Sequence, residues 1–173
     1  MNSIITANAW RFFGLIIVQG LVLQNIGAGW ERFPYLHIIL FPIFILLLPL
    51  RTPRALVILL GFIMGLVVDS FYNSMGVHAS AAVFTAFIRP YLLNWMEPRG
   101  GYNVNYSPTA ARMGAGWFFK YSAILMALHL VFYFIVEAFN FDNLGTTLLN
   151  ILVSFTFSMI CLFIYQVIFN PVD

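Results

Sequence analysis

Six long apolar runs, separated by short clusters of Pro, Gly, Asn and charged residues, constrain this chain more than any other feature of it. They cover 12–29, 35–50, 55–72, 76–95, 117–138 and 145–169. A helix needs roughly 20 residues to cross the hydrocarbon core of a bilayer, somewhat fewer where the bilayer is thin. In lipid every backbone N–H and C=O must find a partner within the protein, which makes helices the form for continuous apolar segments. Spanning strands would alternate apolar and polar residues, and these runs do not. Only 8% of the 173 residues are charged, against roughly 25% in soluble domains, so most of the surface must face lipid. The expected fold is an all-α integral membrane protein: one transmembrane domain, 1–173, of six helices with little outside the bilayer. A net charge of +2 is too small to suggest nucleic acid, and the bilayer is the first partner.

The connections carry turn chemistry. Pro34, Pro49, Pro53 and Gly76 punctuate short loops, and the one long loop, 97–116, contains Pro98, Gly100, Gly101 and Pro108. Ser107-Pro108 reads as a cap and first helical position, so the fifth span is expected to begin early. Asp142-Asn143 is placed to cap the sixth span and Asn170-Pro171 to end it, while Pro42 should kink the second. Ala28-Gly29 faintly resembles a signal-peptide cleavage region. The run before it is long for that purpose and the rest of the chain is equally hydrophobic, so an uncleaved first span is expected. Arg11, Arg51, Arg54, Arg89, Arg99, Arg112 and Lys120 fall on one side of this layout and only Arg32 on the other. Both termini are therefore expected in the cytoplasm.

Gly61, Gly65 and Asp69 recur every four residues and share a helical face. The glycines let another helix approach closely, from a partner or from within the chain. Asp69 either fixes that seam or caps the turn that follows. A charge at a span's centre costs about 2.5–3.5 kcal/mol, less near an interface. Gly76 opens the fourth span, and His78 beyond it is close enough for a hydrogen bond to Asp69. Ala82 with Ala86, and Ala123 with Ala127, repeat the small-residue spacing. His129, Tyr133 and Glu137 form a polar stripe that either lines a cavity or bonds to neighbouring helices. Arg89, beside Pro90, is placed to reach a lipid phosphate where the fourth span ends and 91–96 bends along the interface. The single cysteine, Cys161, allows no internal disulfide and no Cys-based metal site. No nucleophile, zinc or phosphate-loop motif is present, so neither enzyme activity nor a metal or cofactor is expected.

Gly61-Phe62-Ile63-Met64-Gly65-Leu66-Val67-Val68-Asp69, followed by Gly76-Val77-His78-Ala79, resembles the bacterial rod-shape-determining MreD family. Its members are small six-span proteins with a glycine-bearing third helix ending in Asp and a Gly-led fourth helix. Length and span count match over the whole chain, and the specific likeness covers 61–79. The resemblance implies a fold similar to the substrate-capture subunits of energy-coupling-factor transporters. It also implies a non-enzymatic inner-membrane scaffold of cell-wall elongation. The implied partners are the single-span coiled-coil protein MreC, a RodA-type polymerase with its transpeptidase, and an MreB-type filament. The alternative carried by the shared architecture is a substrate-binding subunit for small-molecule uptake. The segment 102–106 belongs to no motif of that family.

Overall fold

The computed structural model describes residues 2–28, 36–138 and 144–169, and among these it holds seven helices. Helix α1 is α-helical over Asn2–Ile17, passes through a π-helical turn at Val18–Leu23 and resumes over Gln24–Ala28. The others are α2 (Ile43–Leu47), α3 (Arg54–Tyr72), α4 (Val77–Trp95), α5 (Ala110–Met113), α6 (Ala115–Ala138) and α7 (Leu144–Phe169). Four helical stretches are long and apolar enough to cross a membrane: Thr6–Ile26 of α1, and all of α3, α6 and α7. The chain thus has the build of a multi-pass membrane protein. The turns expected at 30–34 and 170–171 and the cap at 142–143 lie outside the described residues.

Helix α4 is the packed centre, laid along α3 on one side and α6 on the other. That position explains its composition. His78, Thr85 and Arg89 are all buried, and a polar side chain is tolerated there because it meets protein rather than lipid. The helix continues through Pro90 to Trp95, which corrects the expected bend after Arg89. Proline removes one backbone donor, a loss that a helix packed on both sides absorbs.

The second expected span, 35–50, is not one helix. Residues 36–40 have no helical structure, 41–42 turn, and only Ile43–Leu47 is helical. Pro42 does not kink a long helix but starts a short one. Its ring excludes a helical hydrogen bond and disfavours helical geometry at Phe41. The segment still runs the length of the molecule. His37 lies near the turn joining α3 to α4, whereas Leu50 and Arg51 at the other end donate to Tyr106 O and Val104 O at 3.1 and 2.9 Å. Phe41 and all of α2 are buried. Irregular backbone at this depth is stable only inside protein.

The long loop is strapped beneath this second end. Besides those two backbone bonds, Tyr102 donates to Leu93 O at 2.8 Å and Trp117 Nε1 to Met96 O at 3.0 Å. Helix α6 begins at Ala115, and Ser107-Pro108 does not start it: the single turn α5 has Thr109, not Ser107, at its N-cap, and Gly114 at φ +85° breaks it from α6. Asn8, Arg51, Arg54 and Arg89 gather at this end, the arginine end, and Arg99 lies in the loop turn closed by Gly101 N donating to Pro98 O.

Candidate functional site

The motif 61–79 folds into one hairpin organised by Asp69. Tyr72 ends α3 because Asn73 adopts a left-handed conformation (φ 52°), and Gly76 (φ +81°) reverses the chain into α4. A side chain other than glycine would be strained at Gly76. The backbone carbonyl of Asp69 accepts from the N–H groups of Asn73 and Ser74. Its carboxylate reaches across the turn. Oδ1 accepts from Ser74 Oγ at 2.6 Å, from His78 N at 2.9 Å and from His78 Nδ1 at 3.0 Å, and Oδ2 accepts from Ala79 N at 3.0 Å. Asp69 therefore caps the first turn of α4 from outside that helix, satisfying donors that have no partner within it. A carboxylate only accepts, so Nδ1 of His78 carries a proton.

The glycine seam of α3 faces α4 of the same chain. A Cβ built on Gly65 would lie 2.4 Å from Ala79 Cα, and one on Gly61 would lie 3.3 Å from Ala82 O. The close approach of the two backbones is what brings the Asp69 carboxylate within reach of His78 N and Ala79 N.

Above the hairpin lies a cavity of about 280 Å³ lined by His37, Tyr72, His78 and Tyr133, with Leu36 and Ile39. The His78 ring sits between those of Tyr72 and Tyr133, at 4.7 and 4.9 Å. Neither His78 Nε2 nor His37 Nδ1 has a hydrogen-bond partner among the described residues. The stripe on α6 divides. Tyr133 lines this cavity and donates to the exposed Glu137 at 3.2 Å. His129 is fully buried, with Nδ1 2.8 Å from Thr85 Oγ1. Because the Thr85 hydroxyl donates to Ala81 O at 2.8 Å, it accepts from His129.

Arg89 is 3% exposed. Its Nε donates to Tyr121 Oη at 3.1 Å and its Nη2 to Leu48 O, while Tyr121 donates to Leu46 O at 3.1 Å. Rather than snorkelling outward, Arg89 holds the end of α2. Cys161 is half-buried on α7.

The residues that sequence reasoning passed over are those holding 36–41. Gln19, fully buried, accepts from Leu40 N at 2.7 Å and Phe41 N at 3.3 Å. Its amide donates to Ile38 O at 3.0 Å and to Tyr72 Oη at 2.7 Å. It sits in the π-helical turn, where one wider turn re-aims side chains inward. Ser154 and Ser158 of α7 accept from His37 N and Ile39 N at 3.1 and 2.9 Å. The match is geometric: four helical residues rise about 6 Å and two extended residues about 6.6 Å. The legible signal was a pair of serines four residues apart, on one face of α7.

No protein-family model, no curated protein and no solved structure matches this chain.

Proposed function

We propose that this chain is a non-enzymatic scaffold of the MreD kind, an inner-membrane component of the assembly that elongates the bacterial cell wall, with both termini cytoplasmic. In this reading it crosses the bilayer six times. The passes are α1, the buried segment with α2, α3, α4, α6 and α7, and the arginine end is cytoplasmic, as the excess of Arg and Lys there requires. The observation that supports the reading is the hairpin. The residues on which the resemblance rests, Gly61, Gly65, Asp69, Gly76 and His78, lie along one α3–α4 hairpin. A single-span partner of the MreC kind would pack in the apolar groove between α1 and α7. There Gly14 has open space where a Cβ would stand, and small residues favour helix association.

The test is depletion together with capture. Cells losing the protein should become rounded while septal wall synthesis continues, and the purified protein should bring down a single-span coiled-coil protein. Cysteines placed at Asn2 and Asp173 should label only from the cytoplasmic side. Depleted cells that keep their shape would remove the reading.

A second reading, a substrate-binding subunit for small-molecule uptake, is favoured by the cavity at His37, Tyr72, His78 and Tyr133. Depletion would then abolish uptake of one small molecule with cell shape intact.

A further inference from the structure

Arg89 presents an electrostatic problem that the fold does not solve internally. Of the five N–H donors of a guanidinium, two have partners, Leu48 O and Tyr121 Oη, and both partners are neutral. No carboxylate among the described residues forms an ion pair with it. A buried charge without a counter-charge is strongly unfavourable, and a structure that keeps one needs an anion.

Arg89 lines a cavity of about 280 Å³ at the arginine end, with Thr52, Arg54, Asn94, Glu97 and Tyr102. The long loop forms one wall, since Tyr102 is anchored to Leu93 O. Arg54 stands at the mouth, exposed, its guanidinium 5.5 Å from the centre of the Tyr91 ring. The lining carries two guanidinium groups against one carboxylate, that of the exposed Glu97. Tyr91 and Trp95, 53% and 76% exposed, mark this level as the membrane interface, where such aromatic side chains concentrate. Headgroup phosphates lie at the same depth, and a guanidinium fork fits phosphate oxygens.

We propose that this cavity binds a phosphate group at the arginine-bearing interface, held between Arg89 inside and Arg54 at the mouth, from an anionic phospholipid headgroup or from free phosphate. The bound phosphate neutralises Arg89 and fixes the long loop against the 49–52 turn. The site is independent of the scaffold reading, because it rests on the charge and shape of this chain alone.

The experiment uses the full chain in phosphate-free maltoside detergent micelles, and thermal unfolding is followed as phosphatidylglycerol or inorganic phosphate is added. Phosphatidylglycerol should raise the melting temperature. Arg54→Gln should weaken the dependence about fivefold, the scale of one basic residue near a lipid surface. Arg99→Gln, at the same end but not in the cavity lining, should leave it within about twofold. Arg89→Lys, which keeps the charge and loses the fork, should weaken it further than Arg54→Gln. If inorganic phosphate alone reproduces the stabilisation, free phosphate is the source; if only the lipid acts, the headgroup is. The proposal is overturned if neither stabilises the wild type, or if Arg54→Gln and Arg99→Gln lose the effect equally, which would reduce it to general surface charge.

Discussion

Asp69 gathers four hydrogen-bond donors on one carboxylate. It accepts from two side chains and two backbone N–H groups, and the backbone donors belong to a helix that would otherwise start uncapped. Leaving a buried donor unpaired costs about 1–3 kcal/mol. Asp69→Leu strands both backbone donors and should lower stability by roughly 2–5 kcal/mol, measured by unfolding in detergent. Asp69→Asn retains an acceptor and should lose about half as much. Equal losses for the two variants would mean that the carboxylate acts by bulk rather than by capping. Tyr102, in the loop outside the helices, offers a different test. Burial, aided by the negative charge of Glu97, pushes its hydroxyl up to about 12. The fold therefore favours the neutral phenol, and that contribution is complete below pH about 10 and lost as pH rises to about 12. The wild type should lose thermal stability across that window more steeply than Tyr102→Phe.

At the level of helices, α3 and α4 are set by how closely their backbones approach. Gly65→Ala would place a methyl 2.4 Å from Ala79 Cα, and because that neighbour is backbone, one of the helices must move. Overpacking of this kind costs about 1–3 kcal/mol, and the displacement would also withdraw Asp69 from the start of α4. Gly14→Leu, by contrast, meets open space. Gly65→Ala should lower the unfolding temperature markedly, whereas Gly14→Leu should leave it near that of the wild type and weaken only capture of a partner helix. The reverse order would separate the seam from the stability of the hairpin. The spacing already separates the two glycines, since Gly65 shares a face with Gly61 and Asp69; the structure adds what each of them meets.

Across the whole molecule, polar side chains on α1, α4, α6 and α7 complete the backbone of the irregular buried segment 36–48. Gln19 joins α1, the buried segment and α3 through four hydrogen bonds, and Ser154 and Ser158 hold the same segment from α7. Gln19→Leu keeps a similar volume but orphans Leu40 N and Ile38 O away from water, a loss of several kcal/mol. The variant should unfold far more readily in detergent, and backbone amides of 38–41 should exchange faster with solvent. Gln19→Leu with wild-type stability would show that the segment finds other partners.

The membrane class, the limits of α3, α4 and α7 to within a few residues, and the collection of basic residues at one end were legible in the sequence. Each depends on local pattern: apolar length, a proline or glycine at a boundary, and charge counted along the chain. Asp69 and His78 were legible as neighbours because a tight turn joins them. The irregular form of 36–48 was not. An apolar run of 16 residues, 35–50, is compatible with a helix or with extended chain. What decides between them is whether Gln19, Ser154, Ser158, Tyr121 and Arg89 stand opposite the backbone groups that a helix would have satisfied. The burial of Arg89 was hidden for the same reason, since an arginine near a span's end reads as snorkelling until Leu48 O and Tyr121 Oη are found beside it. Hydrogen bonds between residues as many as 119 positions apart have no signature in any local window; only the packing of the helices brings those donors and acceptors together.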